Sequence, residues 1–338
     1  MEVPTPAPSL RTLAGLATPM ALRVAATLSL VERAGSTGAT AERLASETRT
    51  AAPILRRLLN HLVTIGVFEL DRESDRYRPT NLGDQLRENA PDGIKLQLDI
   101  TSAGGRAELA FVELLGTITT GEPAYSRRYG REFWADLDAT PELRRSFDAQ
   151  MNRRFRVQAA QIAERYNWGR FVEIVDVGGG DGTVLAAILE AHPEVRGRVL
   201  DLPPTVAAAA ERFAAAGLRE RAAVVSGSFF DPMPTGGDAY VLSDILHDWD
   251  DAHARAILTR CAQAADLNGS VVVIEPLLGQ GVDTSMDLFM LMCFGGQERT
   301  VDELTRLAAD CELVLRESVQ VADGRTLLEF GLSPDVQA

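Results

Sequence analysis

Basic residues are scarce in this chain of 338 residues, and lysine is almost absent. A single lysine, Lys95, is found among 34 lysines and arginines, and these face 48 aspartates and glutamates, which leaves a formal net charge of −14. Binding to nucleic acid requires a positive surface for the phosphates, so this balance argues against a nucleic-acid partner. The shortage of lysine, together with abundant alanine, reflects a GC-rich genome rather than any chemistry of the protein.

Cysteine clusters and long apolar runs are also lacking. The three cysteines are far apart and have no CxxC spacing, so we expect neither structural zinc nor disulfides, and no other cluster typical of a metal site is visible. No apolar run approaches the ~18 residues of a membrane span. The first residues (MEVPTPAPSLRTL) lack the basic segment and apolar core of a signal peptide. We therefore expect a cytoplasmic protein without a membrane partner.

The first ninety residues are mostly helical in pattern and end in a hairpin. Pro53 suits the first turn of one helix. The apolar face of that helix carries leucines at offsets 0, 3, 4 and 7, namely Leu55, Leu58, Leu59 and Leu62. Residues 67–70 and 76–79 flank a charged turn (DRESD) and are predicted to pair as strands. Two helices followed by a hairpin are typical of a winged helix.

A winged helix raises two hypotheses, DNA binding and dimerisation. Residues 1–90 contain 11 arginines against 10 acidic residues, so the module is close to neutral. Arg56, Arg57 and His61 on its second helix are too few for a convincing phosphate-binding face. We therefore predict that the module dimerises.

From about residue 165 the pattern changes to strands that alternate with helices, which indicates a mostly parallel sheet covered on both faces. The helical patterns there include Ala252–Ala265 and Val301–Ala309, and the preceding stretch, 92–167, is helical throughout. The predicted strands are Val172–Val177, Arg198–Leu202, Ala222–Val225, Ala239–Ser243, Val271–Glu275, Leu313–Val319 and Leu327–Leu332.

The segment 174–182 (IVDVGGGDG) is the most informative part of this region. A short β-branched run is followed by glycines and then by a helical pattern from Thr183, so the glycines join a strand to a helix. A dinucleotide-binding turn, G-x-G-x-x-G, would need glycine at Thr183, and the Gly-Lys-Ser/Thr ending of a P-loop is missing. The run instead resembles the first motif of class I S-adenosylmethionine (SAM)-dependent methyltransferases.

Two residues further along fit a nucleotide-like ligand. Asp201 ends the second predicted strand, where an acid can bind both ribose hydroxyls; the alternative is a solvated aspartate at a strand end. Phe229 follows the third strand and could pack on adenine, although an ordinary core aromatic fits the same pattern.

The segment 241–251 (VLSDILHDWDD) makes the resemblance specific. Together with the block 295–300 (GGQERT), it resembles the O-methyltransferases that include plant caffeate-type enzymes and bacterial enzymes tailoring aromatic polyketides. The resemblance implies a Rossmann-like, doubly wound α/β domain that binds SAM (168–338). It also implies a winged-helix-like dimerisation domain (1–91) and a helical linker that contributes to the acceptor pocket (92–167). A homodimer, SAM as methyl donor, S-adenosylhomocysteine as product and no metal follow from the same resemblance.

His247 is the predicted general base. A phenol has a pKa of about 10, so its methylation at neutral pH needs a base, and histidine suits that task. His247 follows the fourth strand, at the edge where open α/β sheets bind ligands. Such a base is oriented by a carboxylate, and the family resemblance assigns this part to Glu275 and Glu298. The structural alternative for Glu275 is an acid at an exposed strand end, and the alternative for Glu298 is a charge at a helix N-terminus.

The resemblance also implies which residues contact the cofactor and which contact the acceptor. The predicted SAM contacts are Asp176, Gly178, Gly180, Asp201, Leu202, Ser228, Phe229, Ser243 and Trp249. The predicted contacts of the aromatic acceptor, which plain core packing would equally explain, are Phe147, Met151, Met290 and Phe294. Plant relatives carry an acid at the position of Ser228 and a lysine at that of Ser243, so adenine recognition departs from the plant pattern.

The sequence thus predicts a SAM-dependent O-methyltransferase that acts on a phenolic hydroxyl of an aromatic small molecule, in polyketide or aromatic-acid natural product biosynthesis. Two alternatives stay open. A relative that has lost methyl transfer would be a hydroxylase or decarboxylase, and a winged-helix regulator would only sense SAM. The set His247, Glu275 and Glu298 argues against both, and the neutral N-terminal module argues against the regulator.

Overall fold

The computed structural model describes residues 9–91, 93–266, 268–281 and 283–333, and the chain divides into two compact units. The first unit comprises the residues up to Leu109 together with Thr140–Gln150. The second unit comprises Ala110–Ala139 and the residues from Met151 onward. Within the described ranges no helix is long and apolar enough to cross a membrane.

Short helices and one hairpin build the first unit around an apolar core. Its helices are α1 (Leu10–Leu13), α2 (Ala17–Thr27), α3 (Leu30–Ala34), α4 (Ala41–Thr48), α5 (Ala52–Thr64), α6 (Asn81–Asp84), α7 (Ile94–Leu98) and α8 (Ala103–Glu108). The antiparallel strands β1 (Phe68–Asp71) and β2 (Arg76–Pro79) follow α5, as the winged-helix pattern predicts. Three of the four predicted leucines of α5 are buried and Leu58 is half-buried, so the predicted apolar face is confirmed.

The second unit contains a seven-stranded sheet with helices before it and between its strands. The strands are β3 (Glu173–Val177), β4 (Arg196–Asp201), β5 (Ala222–Ser226), β6 (Ala239–Ser243), β7 (Ser270–Glu275), β8 (Leu313–Ala322) and β9 (Arg325–Leu332). The helices from residue 110 onward are α9 (Leu114–Thr120), α10 (Ala124–Tyr129), α11 (Phe133–Ala139), α12 (Pro141–Glu164, shared by both units), α13 (Thr183–Ala191), α14 (Pro203–Ala215), α15 (Asp251–Ala264), α16 (Ser285–Cys293) and α17 (Val301–Ala309).

The sheet has the order β5-β4-β3-β6-β7-β9-β8. The first five of these strands are parallel, and β9 and β8 are added as an antiparallel pair. Alternate side chains along each central strand enter two separate buried clusters: Ile174 packs on the face covered by α13, and Val175 packs on the face covered by α15. The doubly wound arrangement follows because both faces of these strands are apolar and each must be covered.

Six of the seven strands differ from their predicted bounds by one to three residues at one end or both, and two of these differences have identifiable reasons. Leu202 was expected to end a strand, but it is the residue that caps α14, because Pro203 occupies the first helical turn. The strand β8 runs to Ala322, beyond the predicted end at Val319, and its pairing with β9 shifts register twice. Such bulges break the two-residue period on which the prediction rests.

A buried carboxylate ties the segment after α12 to the sheet. Glu329 on β9 accepts hydrogen bonds from the hydroxyls of Tyr166, at 2.8 Å, and Ser270, at 2.6 Å, and forms an ion pair with Arg170. Burial alone would raise the pKa of Glu329, but these partners outweigh it and hold the pKa below the usual range. The carboxylate therefore stays charged in the interior because three donors surround it.

Replacing Tyr166 by Phe tests this cluster. The change removes one donor and leaves Glu329 with its serine and arginine partners, so we expect a loss of about 1–2 kcal/mol in the free energy of unfolding. Urea denaturation followed by circular dichroism measures the change. An unaltered transition midpoint would show that Ser270 and Arg170 satisfy the carboxylate without the tyrosine.

Candidate active site

Most of the predicted site residues lie at one edge of the sheet, where the parallel strands end. Taking the strands in their spatial order β5, β4, β3, β6 and β7, the residues that end or follow them are Ser228 and Phe229, then Asp201, then Gly178 and Gly180, then Ser243 and His247, and finally Glu275. The motifs that are separated in the sequence are therefore arranged in a row along a single edge.

The turn between β3 and α13 presents an open surface. Gly178 and Gly180 have φ angles of 69° and 61°, in the left-handed region that favours glycine. A Cβ atom at Gly178 would lie 2.5 Å from Cδ1 of Ile245, the movable end of a side chain, so the left-handed φ is the stronger reason for glycine at this position. A Cβ atom at Gly180 would meet nothing within 4 Å, so this part of the turn faces space in which a ligand can lie.

Two carboxylates flank this turn. Asp176 is buried, and neither of its oxygens has a well-formed hydrogen bond within the described part of the chain. Burial, and then the charges of Asp201 and Asp181, raise the pKa of Asp176 to about 7. Asp201 is held by the backbone, because its Oδ2 accepts from Gly180 at 2.9 Å and its Oδ1 from Leu202 at 2.6 Å. The buried carboxylate of Asp176 therefore calls for a donor from a ligand or a water. SAM, which carries several polar hydrogens, fits this requirement.

His247 lies in a short 3₁₀ turn, Leu246–Asp248, after β6 and is 3% exposed. Its backbone N–H donates to Oε1 of Glu275 at 3.0 Å, and its ring Nδ1 lies 3.1 Å from Oε1 of Glu298. An ionised carboxylate only accepts hydrogen bonds, so Nδ1 carries the hydrogen and Nε2 is left to take a proton. Nε2 is 3.6 Å from Oδ1 of Asp248, beyond hydrogen-bond distance.

Carboxylates set the proton affinity of His247. Burial by itself lowers the pKa of His247, but the hydrogen bond with Glu298 and the charges of Asp248, Asp244 and Glu275 outweigh burial and raise the pKa to about 9. Burial also raises the pKa values of Glu275 and Asp248, each to about 7. These acids suit the cluster to holding a proton on the imidazole.

Among the described residues, no group of three or more His, Cys, Asp or Glu is arranged to hold a metal ion.

Arg299 supports the turn that carries His247, a role that the sequence analysis did not assign. Its guanidinium is buried and donates to the carbonyls of Leu246, at 2.9 Å, and Trp249, at 2.8 Å, on either side of the histidine. It also forms an ion pair with Asp251 at 2.9 Å. Since five fixed donors suit several acceptors at once, the arginine fixes the backbone from which the imidazole projects.

The rest of the block GGQERT packs on the same turn. The backbone N–H of Gln297 donates to the carbonyl of His247 at 2.9 Å. A Cβ atom at Gly296 would collide with that carbonyl, so glycine is required for the close approach. The backbone N–H of Glu298 donates to Asp287 at 2.9 Å, which holds the glutamate in place. The block thus acts as a clamp, whereas only Glu298 was predicted from it.

Asp244 is a second residue that the sequence analysis missed, although it stands in the quoted motif. Its φ is 52°, which is costly for a residue with a side chain and is typical of functional sites. Its Oδ2 accepts from Arg325 at 2.8 Å and lies 3.3 Å from Arg154. Burial alone would raise its pKa, but the two arginines, together with His247, lower the pKa below the usual range, so the group is an anion.

The other predicted SAM contacts have varied surroundings. Phe229 packs edge-on against Trp249, with ring centroids 5.9 Å apart. The hydroxyl of Ser228 accepts a backbone hydrogen bond within its own turn, so it has a structural task. The hydroxyl of Ser243 is buried, and the described residues provide no partner for it. Leu202 is exposed at the start of α14.

Three of the four predicted acceptor contacts lie in the second unit. Phe294, directly after α16, stacks on Trp134 with ring centroids 5.4 Å apart and planes within 15°. Met290 is buried on α16, and Met151 is half-buried on α12. Phe147 belongs to the first unit.

Replacing Glu298 by Gln tests the electrostatic role of the glutamate. An amide stabilises an imidazolium less than a carboxylate does, so the pKa of His247 should fall below its native value of about 9. Titration of ¹⁵N-histidine-labelled protein followed by NMR measures this shift. The exposed His253, which pairs with Asp250 at 2.8 Å, is the internal control, and its ring signals should be the same in both proteins. The same titration midpoint for His247 in both proteins would contradict the assignment.

Comparison with known proteins connects this geometry with an enzyme family. An O-methyltransferase domain model matches residues 111–311, and an O-methyltransferase dimerisation domain model matches residues 10–89. A 2,7-dihydroxy-5-methyl-1-naphthoate 7-O-methyltransferase from Streptomyces carzinostaticus is 49% identical over 91% of this chain and 92% of its own. Aclacinomycin 10-hydroxylase from Streptomyces purpurascens is 40% identical over 96% of this chain and 88% of its own.

A solved structure of an O-methyltransferase is similar to this chain over nearly its whole length. The crystal structure of an O-methyltransferase from neocarzinostatin biosynthesis, in complex with SAM and 2-hydroxy-5-methyl naphthoic acid, has a TM-score of 0.91 and 46% sequence identity. The match covers 97% of this chain and 100% of that chain. The predicted fold class, the SAM cofactor and the enzyme class are thereby confirmed. The chain belongs to the family of SAM-dependent O-methyltransferases that carry an N-terminal dimerisation domain.

Proposed function

We propose that this O-methyltransferase methylates a phenolic hydroxyl of an aromatic small molecule and that His247 is the general base. The observation that carries the proposal is the buried pair of His247 Nδ1 and Glu298 Oε1, 3.1 Å apart, which leaves Nε2 as the basic nitrogen. The pair stands at the carboxyl edge of the sheet, beside the turn at Gly178, where donor and acceptor can be held together.

Bound SAM supplies a methyl group on a sulfonium centre. In our proposal Asp201 binds the ribose hydroxyls, because its carboxylate is already fixed at the turn by Gly180. The backbone of Gly178 and Gly180 lies along the cofactor, and Asp176 accepts a hydrogen bond from it or from a water. The residues Leu202, Ser228, Phe229, Ser243 and Trp249 complete the binding surface.

The chain's own part in the reaction is to remove the phenolic proton. A neutral His247 accepts it at Nε2 while Glu298 keeps the Nδ1 hydrogen in place. A phenol has a pKa of about 10, and the pKa of His247 is raised to about 9, so the transfer between them is nearly balanced. Glu275 holds the histidine backbone, and its own raised pKa keeps part of its population neutral. With a pKa of about 9, His247 is mostly protonated at neutral pH, so the neutral imidazole that acts as the base becomes more abundant as the pH rises toward that value.

The acceptor is proposed to be a flat aromatic molecule of natural product biosynthesis. Met151, Met290, Phe147 and Phe294 are the proposed contacts, since methionine side chains adapt to aromatic surfaces. Two relatives point the same way: one is a naphthoate O-methyltransferase, and another was crystallised with a naphthoic acid. In this proposal residues 168–338 bind SAM and residues 92–167 contribute to the acceptor pocket.

A hydroxylase activity is the second candidate, because the aclacinomycin 10-hydroxylase is 40% identical. That enzyme shows that this fold is compatible with chemistry other than methyl transfer. The structure favours methyl transfer here, because hydrogen bonds join both Glu275 and Glu298 to His247 in one group.

Replacing His247 by Gln tests the proposed base. We expect methyl transfer from labelled SAM to a panel of phenolic acceptors to fall about 100-fold or more, which is the usual contribution of a general base. The exposed His253 provides the matched control, and His253→Gln should retain full activity. Full activity in His247→Gln would refute the base. A wild-type enzyme that binds SAM but hydroxylates or decarboxylates the panel without methylating it would support the second candidate.

We further propose that residues 1–91 form a homodimer in the cytoplasm and bind no nucleic acid. Four large apolar side chains are exposed on or beside the first two helices of the unit: Leu10, Leu13, Leu16 and Met20. Contiguous exposed apolar residues mark interaction surfaces, and the dimerisation model begins at residue 10. A second copy of the chain is therefore the proposed partner of this surface.

The double change Leu13→Glu and Leu16→Glu tests that surface. These side chains are 67% and 69% exposed, so the charges cost the monomer little but would be buried in the dimer. Sedimentation velocity should show dimers for the wild type and monomers for the variant. Leu82→Glu, 50% exposed on α6 of the same unit, is the control and should remain dimeric. A dimeric double variant would place the interface elsewhere.

A further inference from the structure

The helix α16 carries two of the proposed contacts of the methyl acceptor, and the block GGQERT folds back along it. Met290 is buried on the helix, and Phe294 caps its end. Gly295, with a φ angle of 76°, then reverses the chain in the left-handed conformation that commonly follows a helix. The backbone N–H of Gly296 returns to the carbonyl of Met290 at 3.3 Å. The helix and the block are therefore packed as one unit.

Asp287 makes a second link between this helix and the block. It lies in the first turn of α16, where an acidic side chain commonly binds the N–H groups at the start of its own helix. Here its Oδ1 accepts from the backbone N–H of Glu298 at 2.9 Å, although the two residues are 11 positions apart in the chain. The helix that bears the proposed acceptor contacts thus holds the carboxylate partner of His247.

The side chain of Glu298 depends on how its backbone is held. Its Oε1 lies 3.1 Å from Nδ1 of His247, and its Oε2 is buried and accepts no hydrogen bond from the described residues. A hydrogen bond between charged groups is ordinarily ~2.7–2.9 Å long, so the observed distance is at the long end. A small movement of Glu298 toward the ring would strengthen this bond, and a movement away would break it.

We propose that Asp287 is a positioning residue that couples the binding of the methyl acceptor on α16 to His247 through Glu298. An aromatic molecule packed on Met290 and Phe294 fixes the helix, and the fixed helix draws Glu298 toward the imidazole. Hydrogen bonds of catalytic groups are often long in the free enzyme and tighten in the substrate complex. The inference rests on the proposed function, in which His247 is the base and α16 borders the acceptor.

Two changes at Asp287 separate its hydrogen bond from its charge. Asp287→Ala removes the oxygen to which the N–H of Glu298 donates, whereas Asp287→Asn removes the charge and keeps such an oxygen. In the alanine variant the pKa of His247 should fall below its native value of about 9, because Glu298 is no longer held against the ring. In the asparagine variant it should stay near that value. Titration of ¹⁵N-histidine-labelled protein followed by NMR measures both.

Steady-state kinetics with labelled SAM and a phenol that the wild type methylates give the second readout. The kcat of Asp287→Ala should fall about 10- to 100-fold, as expected when a catalytic group is displaced by about 1 Å, while the KM for SAM is unchanged. Asp287→Asn should restore most of kcat. The control is Asp283→Ala, which removes an exposed acid that binds the N–H of Ser285 at the start of the same helix and should behave as wild type.

The coupling to the methyl acceptor is measured at the Nδ1 hydrogen of His247. A stronger hydrogen bond moves the NMR signal of this hydrogen downfield. Binding of the phenol to protein loaded with S-adenosylhomocysteine should therefore move the signal downfield in the wild type and leave it in place in Asp287→Ala. If the alanine variant does not fold, Asp287→Asn still decides, because a lowered pKa of His247 in that variant contradicts the inference.

Three outcomes would overturn the inference. An unchanged pKa of His247 in Asp287→Ala would show that Glu298 is held without the aspartate. An equal fall in both variants would show that the charge of Asp287, and not its hydrogen bond, acts on the histidine. An equal downfield movement in the wild type and in Asp287→Ala would exclude the coupling. Failure of the proposed base is a separate result, since His247→Gln would then keep full activity while the NMR signals of His247 still report on Asp287.

Discussion

The hydrogen bond between His247 and Glu298 is the interaction on which the proposed active site depends. Both side chains are buried, and in that environment an imidazole takes a proton only if a negative charge is close. Burial alone would lower the pKa of His247, yet the glutamate and the surrounding acids reverse the sign. The same low dielectric that makes the charge costly also makes the partner effective. The pair therefore works only if its geometry is maintained.

The structure maintains that geometry mainly through backbone contacts. Arg299 binds carbonyls on both sides of His247, Gln297 donates to the carbonyl of the histidine, and Glu275 accepts from its N–H. These contacts come from two segments about thirty and fifty residues further along the chain. The histidine is thus held at its backbone and at one ring nitrogen, and the other nitrogen is left for chemistry, as an oriented base requires.

The order of the strands distributes the parts of the ligand along the sheet edge. Ser228 and Phe229 follow the outer strand β5, Asp201 ends β4, the glycine turn follows β3, and His247 follows β6. In our proposal this order places adenine, ribose, sulfonium and acceptor in a row. The strand order reverses between β3 and β6, because β4 and β5 are added on one side of β3 and β6 and β7 on the other, and such a switch point is where open α/β sheets bind ligands.

The sequence by itself determined most elements of the fold, and it indicated which residues are the candidates for the site. The alternation of strand and helix patterns predicted β6 and α17 with their observed bounds, and the motifs containing Gly178, His247 and Glu298 indicated the chemistry. These features are local, since each depends on a few neighbouring residues. The pattern does not predict the length of β8, because its bulges break the two-residue period. It also places Leu202 in a strand, because an apolar residue before proline fits a strand end as well as the cap of a helix.

Only the tertiary structure decided how distant charges act on one another. The pKa of His247 depends on acids that are up to 51 residues away in the chain, and the role of Arg299 depends on which carbonyls face it. The pairing of Asp244 with Arg154 and Arg325 joins three separate segments. Electrostatic energies depend on distance and burial, which no sequence pattern specifies. The sequence therefore indicated the candidate reacting groups, and the fold determined their partners and the direction of their pKa shifts.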